Sequence, residues 1–535
     1  RPTSLYEIID GGEYGWRSGW SKWPSYYFDR LPTLLETGRG SPTGACTYDH
    51  HMMPARYQGC LFLADWTQGQ ILCVRLDERG QPQSDVFIEG QPLNVTDVTV
   101  GPDGWLYFCT GGRGTKGGIY QVRWLGQVPE SVTNLGDGIT RAIKQPQLYS
   151  AWTRQQIATL KRKLGSTWAD SVAGVAYSDE NPAKYRLRAL DLMQLFGPTP
   201  SAELLIELCK TPNESVRARA AKLLGLQPTT YAVKEQLERM LADSDPDVQL
   251  NAGLALVRQG ETPTVEALVP LLSNLNRKVS YVARRLLEQI PSDQWRDELL
   301  NYEDQRVQIQ ASLAMMVAEP SRENGQAVVD MSQEMLKGFI SDRNFVDLLR
   351  LLQVTLHRSG LSSEDVPQLA EALTGEYPVG EPMLNRELFR LLSYLKADSV
   401  VPKAISYLQS DAPLEERLHI AMHLRFFGHD WTSAERYAVI KFFEETQPVD
   451  WGSSVPLYVM NVTRDLAKDL PLSEARIFVS EGAKWPNAAL VSLFQYPENL
   501  TELDLRTLKQ LDQQIDQPGF EGEEYKRLRT GVVAM

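Results

Sequence analysis

The sequence predicts two architectures in series: the last blades of a β-propeller, then an α-solenoid built from paired helices. Three observations carry this. Up to about residue 130 the chain alternates short strands with glycine-rich turns dense in Trp and Tyr, as in Gly101-Pro102-Asp103-Gly104-Trp105-Leu106-Tyr107-Phe108. Beyond it, one helical template recurs to the end with almost no strand-like text. A chain of 535 residues also exceeds what one core accommodates, so at least two folding units are expected.

The first part reads as strands at 5–9, 45–48, 61–64, 71–76, 85–88, 98–100, 106–109 and 119–124, each bounded by Gly, Pro, Asp or Asn. The Gly-Pro-Asp-Gly turn before an aromatic strand is a common blade corner. Eight strands make about two four-stranded blades at residues 1–125, too few to close a ring, so the earlier blades are expected before Arg1. The start at Arg1-Pro2-Thr3-Ser4 and the end in Gly531-Val532-Val533-Ala534-Met535 both read as cuts in a longer protein. Residues 126–150 read as a linker.

From residue 151 to 535 a solenoid is expected. Its template is an apolar residue, a small or apolar one at i+4, and apolar ones at i+7 and i+8. Copies are Tyr185/Ala189/Leu192/Met193, Val216/Ala220/Leu223/Leu224, Val248/Ala252/Ala255/Leu256, Val279/Ala283/Leu286/Leu287 and Val307/Ala311/Ala314/Met315, with later ones from Leu384 and Leu414. The spacing puts one apolar stripe on each helix. Asn213, Asp245, Asn276, Asp304 and Asp411 stand three residues ahead, where a side chain can cap the first turn. A second helix falls between copies, at 231–242 and 265–272. The period near 30 residues suits HEAT/armadillo-like repeats. Burying four or five apolar residues per unit yields on the order of 10 kcal/mol against a similar ordering entropy, so each unit depends on its neighbours. The register blurs between 320 and 380 and after 440.

Charge narrows the partners. Residues 1–150 hold 13 Lys/Arg and 15 Asp/Glu, leaving 42 and 53 for the remainder, so the helical part is acidic and nucleic acid is not an expected partner. No apolar stretch approaches a membrane span. Cys46, Cys60, Cys73 and Cys109 form no CxxC pair, which excludes zinc-ribbon, thioredoxin and covalent haem sites within the chain. They read as small buried strand residues. If 60–65 and 70–75 form a hairpin, Cys60 and Cys73 lie diagonally on one face, and an oxidising compartment would permit a bridge.

Gly12-Glu13-Tyr14-Gly15-Trp16, Ser41-Pro42-Thr43-Gly44, the run Met53–Phe62 and the run Asp97–Gly104 resemble, in order, motifs of the glucose/sorbosone dehydrogenase propellers. The string Thr110–Tyr120 is similar to one in PVC-type "membrane-bound dehydrogenase" proteins, which join such a propeller to HEAT-like repeats and a c-type haem domain. The resemblance implies an extracytoplasmic redox protein with a sugar- or alcohol-oxidising propeller, its electrons passing to a downstream haem, and with this fragment inactive alone. It also implies carbohydrate or small-molecule binding. The family holds PQQ with cations where this chain has Trp66, Asn94 and Thr96. Without them the three PQQ carboxylates lack partners, which argues against that cofactor here.

Arg17, His50, Asp65, Asp97, Arg113 and Lys116 are the residues expected at the propeller face. Gly112–Gly117 matches GxGxxG, but a strand follows where a dinucleotide site needs a helix. The loop reads either as a wide turn or as a presenter of Arg113 and Lys116 to an anionic or polyhydroxylated ligand. Asp65-Trp66 reads as a blade corner or as a carboxylate beside a ring for stacking a sugar. His50 and His51 point apart on an extended chain, and His419 and His423 lack the HExxH order, so no metal site is expected. No GxSxG elbow or Walker A loop occurs. The rival to the redox reading is a non-catalytic propeller/HEAT scaffold that binds glycans or proteins, with a protein partner on the solenoid.

Overall fold

The computed structural model describes residues 2–16, 22–77, 80–428, 430–446, 455–468 and 470–535. It divides into two compact units, Arg1–Leu299 and Leu300–Met535. The first holds every described strand together with the first helix pairs.

Among the described residues nine strands form three antiparallel sheets. β1 (Pro2–Leu5) pairs with β2 (Leu35–Arg39). β3 (Pro42–Tyr48), β4 (Cys60–Asp65), β5 (Gln70–Leu76) and β6 (Pro82–Glu89) follow one another in a four-stranded sheet. β7 (Val95–Val100), β8 (Leu106–Gly112) and β9 (Thr115–Val122) make a three-stranded one. The alternation of apolar residues buries Tyr48, Phe62, Ile71, Val98, Leu106 and Phe108 in one cluster between the two larger sheets. Full burial of a side chain such as Phe62 contributes about 1.5–3 kcal/mol.

The first strands of these sheets lie side by side. Thr43 Oγ1 donates to the Val95 carbonyl at 2.7 Å, and Gly44 sits so close that a Cβ there would lie 2.4 Å from Asp97 Oδ1. The expected hairpin of β4 and β5 forms, with Phe62 opposite Cys73, and both Cys60 and Cys73 are buried free thiols.

Three expectations are corrected here. The strands do not make two four-stranded blades, since the described sheets have two, four and three strands. After β9 the chain turns at Pro129 into the helix Glu130–Thr133, so the second sheet gains no fourth strand. The expected strand at 5–9 ends at Leu5, because Glu7 and Asp10 engage helices far along the chain. The stretch read as a linker carries the helices Glu130–Thr133 and Gly138–Ile143.

The helical part is a HEAT-like solenoid. Its template helices in the first unit are Ala183–Phe196, Glu214–Leu224, Pro246–Gln259 and Arg277–Leu287. Template residues such as Val216, Ala220, Val248, Ala252, Val279 and Ala283 are fully buried. The second helices Tyr231–Met240 and Val265–Leu272 fall where the sequence placed them. Asn213, Asp245, Asn276 and Asp304 accept first-turn N–H groups as anticipated. Asp411 does not, since that helix begins at Leu414 behind Pro413.

Polar links tie one repeat to the next. Arg217 forks onto Asp243 at 2.8 and 2.9 Å, and Asp243 also accepts from the Asp245 amide at 2.9 Å. Gln259 reaches back to the Leu224 carbonyl at 3.0 Å. Close helix approach depends on small residues. A Cβ on Gly225 would lie 2.8 Å from Ala255 Cα, a backbone atom that cannot swing aside. Gly225→Val is expected to cost about 2–3 kcal/mol in urea denaturation by forcing these helices apart.

The second unit continues the pattern with Gln305–Ala318, Asp342–Ser359, Pro382–Tyr394 and Leu414–Leu424 as template helices. Arg436 forks onto Glu474, both bonds at 2.7 Å, and Arg476 onto Asp504 at 2.8 and 2.9 Å. Burial, then the neighbouring His423 and Arg390, push the His419 imidazole down to about 2. A folded-state value below the unfolded 6.5 means the unfolded chain binds the extra proton. Stability from this site is therefore full above pH 6.5 and declines as pH falls towards 2. His419→Gln should flatten the slope of stability against pH between 6.5 and 4, measured by denaturation at each pH. An unchanged slope would refute the assignment.

Candidate functional site

The residues expected at one functional face separate into two places. Asp65 is buried and accepts the amides of Ser41, Thr67 and Gln68 at 3.0, 2.9 and 3.0 Å, so its carboxylate holds the turn after β4. Trp66 beside it donates from Nε1 to the Gly111 carbonyl at 2.7 Å. Arg113, in the left-handed region at φ 48°, lays its guanidinium over the Trp66 ring, 5.4 Å from the centroid. Asp65, Trp66 and Arg113 thus meet where the two larger sheets adjoin. Lys116 is exposed on β9, and Asp97 is exposed on β7 with Oδ1 accepting the Val98 amide at 2.8 Å. Arg17 lies outside the described residues.

His50 lies beyond the other end of β3, about 20 Å from Asp65 at strand rise. It is buried beside Tyr48, His51 and Trp152, with ring centroids 6.5, 4.4 and 6.1 Å away. Burial, then His51, push it down to about 4, so it is neutral at physiological pH.

The positions where the resembled family carries PQQ-binding cations hold neutral groups. Trp66 Nε1, Asn94 Nδ2 and Thr96 Oγ1 donate to the carbonyls of Gly111, Trp66 and Cys109. Such a set does not fit a tricarboxylate, because it supplies no charge and its donors are already engaged.

A more developed constellation, which the sequence reading missed, lies on the helices Pro246–Gln259 and Arg277–Leu287. They hold residues 7–13 and 25–30 of the same chain. Lys278 Nζ meets Glu7 at 2.7 Å, and Arg258 pairs with Asp10. Tyr281 Oη donates to the Gly11 carbonyl at 2.9 Å and accepts the Glu13 amide at 3.1 Å. Arg277 donates to the carbonyls of Ser25 at 2.8 Å, Arg30 at 2.7 Å and Tyr27.

Most of these bonds end on main-chain atoms, so the helix face grips an irregular strand of polypeptide largely without reading its side chains. The gripping residues project from the template helix between its buried positions. Their signal in the sequence is the cluster Arg277, Lys278, Arg284 and Arg285, four cations without an acid in eleven residues of an otherwise acidic array.

Further along the same layer, Arg188 and Lys184 reach Asp49 in the loop after β3, with the Lys184 contact at 3.5 Å. A cleft of about 800 Å³ opens there between β3, β7 and the helices Ala183–Phe196 and Glu214–Leu224. Among the described residues no group of three or more His, Cys, Asp or Glu could hold a metal ion, and no helix is long and apolar enough to cross a membrane.

Comparison with known proteins bears on the helices. The family model for HEAT repeats matches residues 175–256 and 201–290. No curated protein matches the chain. Among solved structures, importin beta is similar at 12% identity over 75% of this chain and 61% of its own, with a TM-score of 0.45. Kap121p is similar at 13% identity over 75% and 52%, with a TM-score of 0.38, and an engineered protein at 17% over 74% and 99%, with 0.33. The chain thus spans about half to three-fifths of the two karyopherins it is similar to. Residues 175–290 are HEAT repeats, and paired helices continue the array beyond them.

Proposed function

We propose that this chain is a non-catalytic scaffold that binds polypeptide on its solenoid. The observation that supports it most is the grip of Arg277, Tyr281 and Lys278 on residues 7–13 and 25–30, which displays peptide-holding chemistry on a template helix. HEAT arrays present extended surfaces of this kind along their length. The two larger sheets are read, in the same proposal, as adjacent propeller blades, supported by the contact of β3 with β7. A dehydrogenase-like parent, a downstream c-type haem and an extracytoplasmic location are what the sequence resemblance implies, and they rest on it alone.

The test presents the intact chain with fluorescently labelled extended peptides and measures anisotropy at low and moderate salt. Micromolar, salt-sensitive binding is expected, together with no dye reduction when the chain is given PQQ and an aldose. Dye reduction under those conditions, or binding of oligosaccharides with none of peptides, would overturn the scaffold reading.

A further inference from the structure

We propose that the cleft between β3, β7 and the helices Ala183–Phe196 and Glu214–Leu224 binds a molecule with two carboxylates separated by an apolar middle. Two arginines set the spacing. Arg188 and Arg219 both line the cleft and come from neighbouring template helices, whose axes in such packing lie about 8–10 Å apart. Each is positioned by an aspartate that takes only part of its donor fork: Asp49 for Arg188 and Asp191 for Arg219. Arg188 is 12% exposed in its side chain, and its Nη1 has no hydrogen-bond partner among the described residues.

A planar guanidinium that its aspartate takes only in part is well matched to a carboxylate. Lys184 adds a third cation at the rim, against the two aspartates. Val100, Leu148 and Leu187 add apolar surface to the lining. A dicarboxylate with a hydrocarbon spacer places like against like at each point. An extended peptide with acidic side chains two residues apart presents both on one face, about 7 Å apart at about 3.3 Å per residue.

This site is independent of the peptide-holding face, since Arg277 and Tyr281 stand on another helix. Failure of one reading therefore leaves the other intact.

The experiment is calorimetric titration of the intact chain with suberate, with octanoate and succinate as controls for the second carboxylate and for the spacer. Suberate is expected to saturate one site, with both controls at least tenfold weaker. Arg219→Gln should weaken suberate at least tenfold without altering the far-ultraviolet dichroism. This variant gives up the pair with Asp191 but leaves Arg188 and Lys184 on Asp49, so the loop after β3 stays tied to its helix. A peptide with two glutamates at that spacing forms the second arm. Tighter binding than suberate, with the same dependence on Arg219, supports the site and names polypeptide as the source of the carboxylates. Absence of saturable binding by both probes overturns the proposal, as does indifference to Arg219→Gln or equal affinity for octanoate.

Discussion

Gly104→Val is expected to cost about 3–5 kcal/mol, enough to unfold the strand-bearing part of the chain at moderate urea. Two causes add. Gly104 has a φ of +81°, where an L side chain costs about 1–2 kcal/mol and a β-branched one more. A Cβ would also lie 2.4 Å from His50 Nδ1 and 2.5 Å from Met52 Cγ, adding about 1–3 kcal/mol of overpacking. Nearby, Tyr48 Oη donates to the Gly104 carbonyl at 2.7 Å, so a displaced turn also takes the acceptor from a buried hydroxyl that keeps only the Met53 amide.

Gly38→Ala separates the two causes. Gly38 has a φ of +78° with nothing within 4 Å of its added Cβ, so it should lose only about 1–2 kcal/mol. A Gly104→Ala change made on a His50→Ala background should cost less than on the parent, and the coupling measures the steric part. A loss below about 1 kcal/mol for Gly104→Val would mean the turn is not packed as described.

Arg277→Ala should release the segment 25–30 from its helix. Three carbonyls accept from this guanidinium, and hydrogen bonds to charged groups contribute about 1.5–3 kcal/mol each. Because they share one side chain they do not add in full, and a total near 3–4 kcal/mol is expected. Hydrogen exchange checks this locally. Protection of the Arg30 and Leu31 amides, which bond to the carbonyls of Tyr27 and Glu13, should fall at least a hundredfold while that of the Pro246–Gln259 helix is retained. Arg277→Lys should recover only part of the loss, since one ammonium cannot reproduce a planar fork. Unchanged exchange in the alanine variant would remove the main support for the polypeptide-binding reading.

The template helices were legible because their apolar positions repeat at helical spacing and because alanine or glycine is needed where helices meet. Asn213, Asp245, Asn276 and Asp304 cap as read, since in each case the template's first residue sits inside the first turn. Asp411 fails because its template begins at the first helical residue, which moves the cap onto Pro413. Hairpins with glycine turns were legible too. β2, Leu35-Glu36-Thr37-Gly38-Arg39, was not, because it lacks alternation and owes its form to pairing with β1.

The face that holds residues 7–13 and 25–30 was beyond local reading for a different reason. Tyr281 and Gly11 are 270 residues apart, and no pattern at either end announces the other. Asp65 shows the converse. It has the right residue type for ligand chemistry, but three neighbouring amides occupy its Oδ1 oxygen.

The distance along the chain between residues 25–30 and their helix also has a bearing on how the chain is made. Translation at about 5–20 residues per second separates Ser25 from Arg277, 252 positions later, by roughly 13–50 seconds. Through that interval the early segment has left the ribosome while its landing surface does not yet exist. Tyr27, Phe28 and Leu31, all buried in the finished fold, wait in water or on a chaperone until the last of these helices is synthesised. A message broken before the codon for Arg277 would release a product with well-formed helix pairs and an adhesive, unplaced segment.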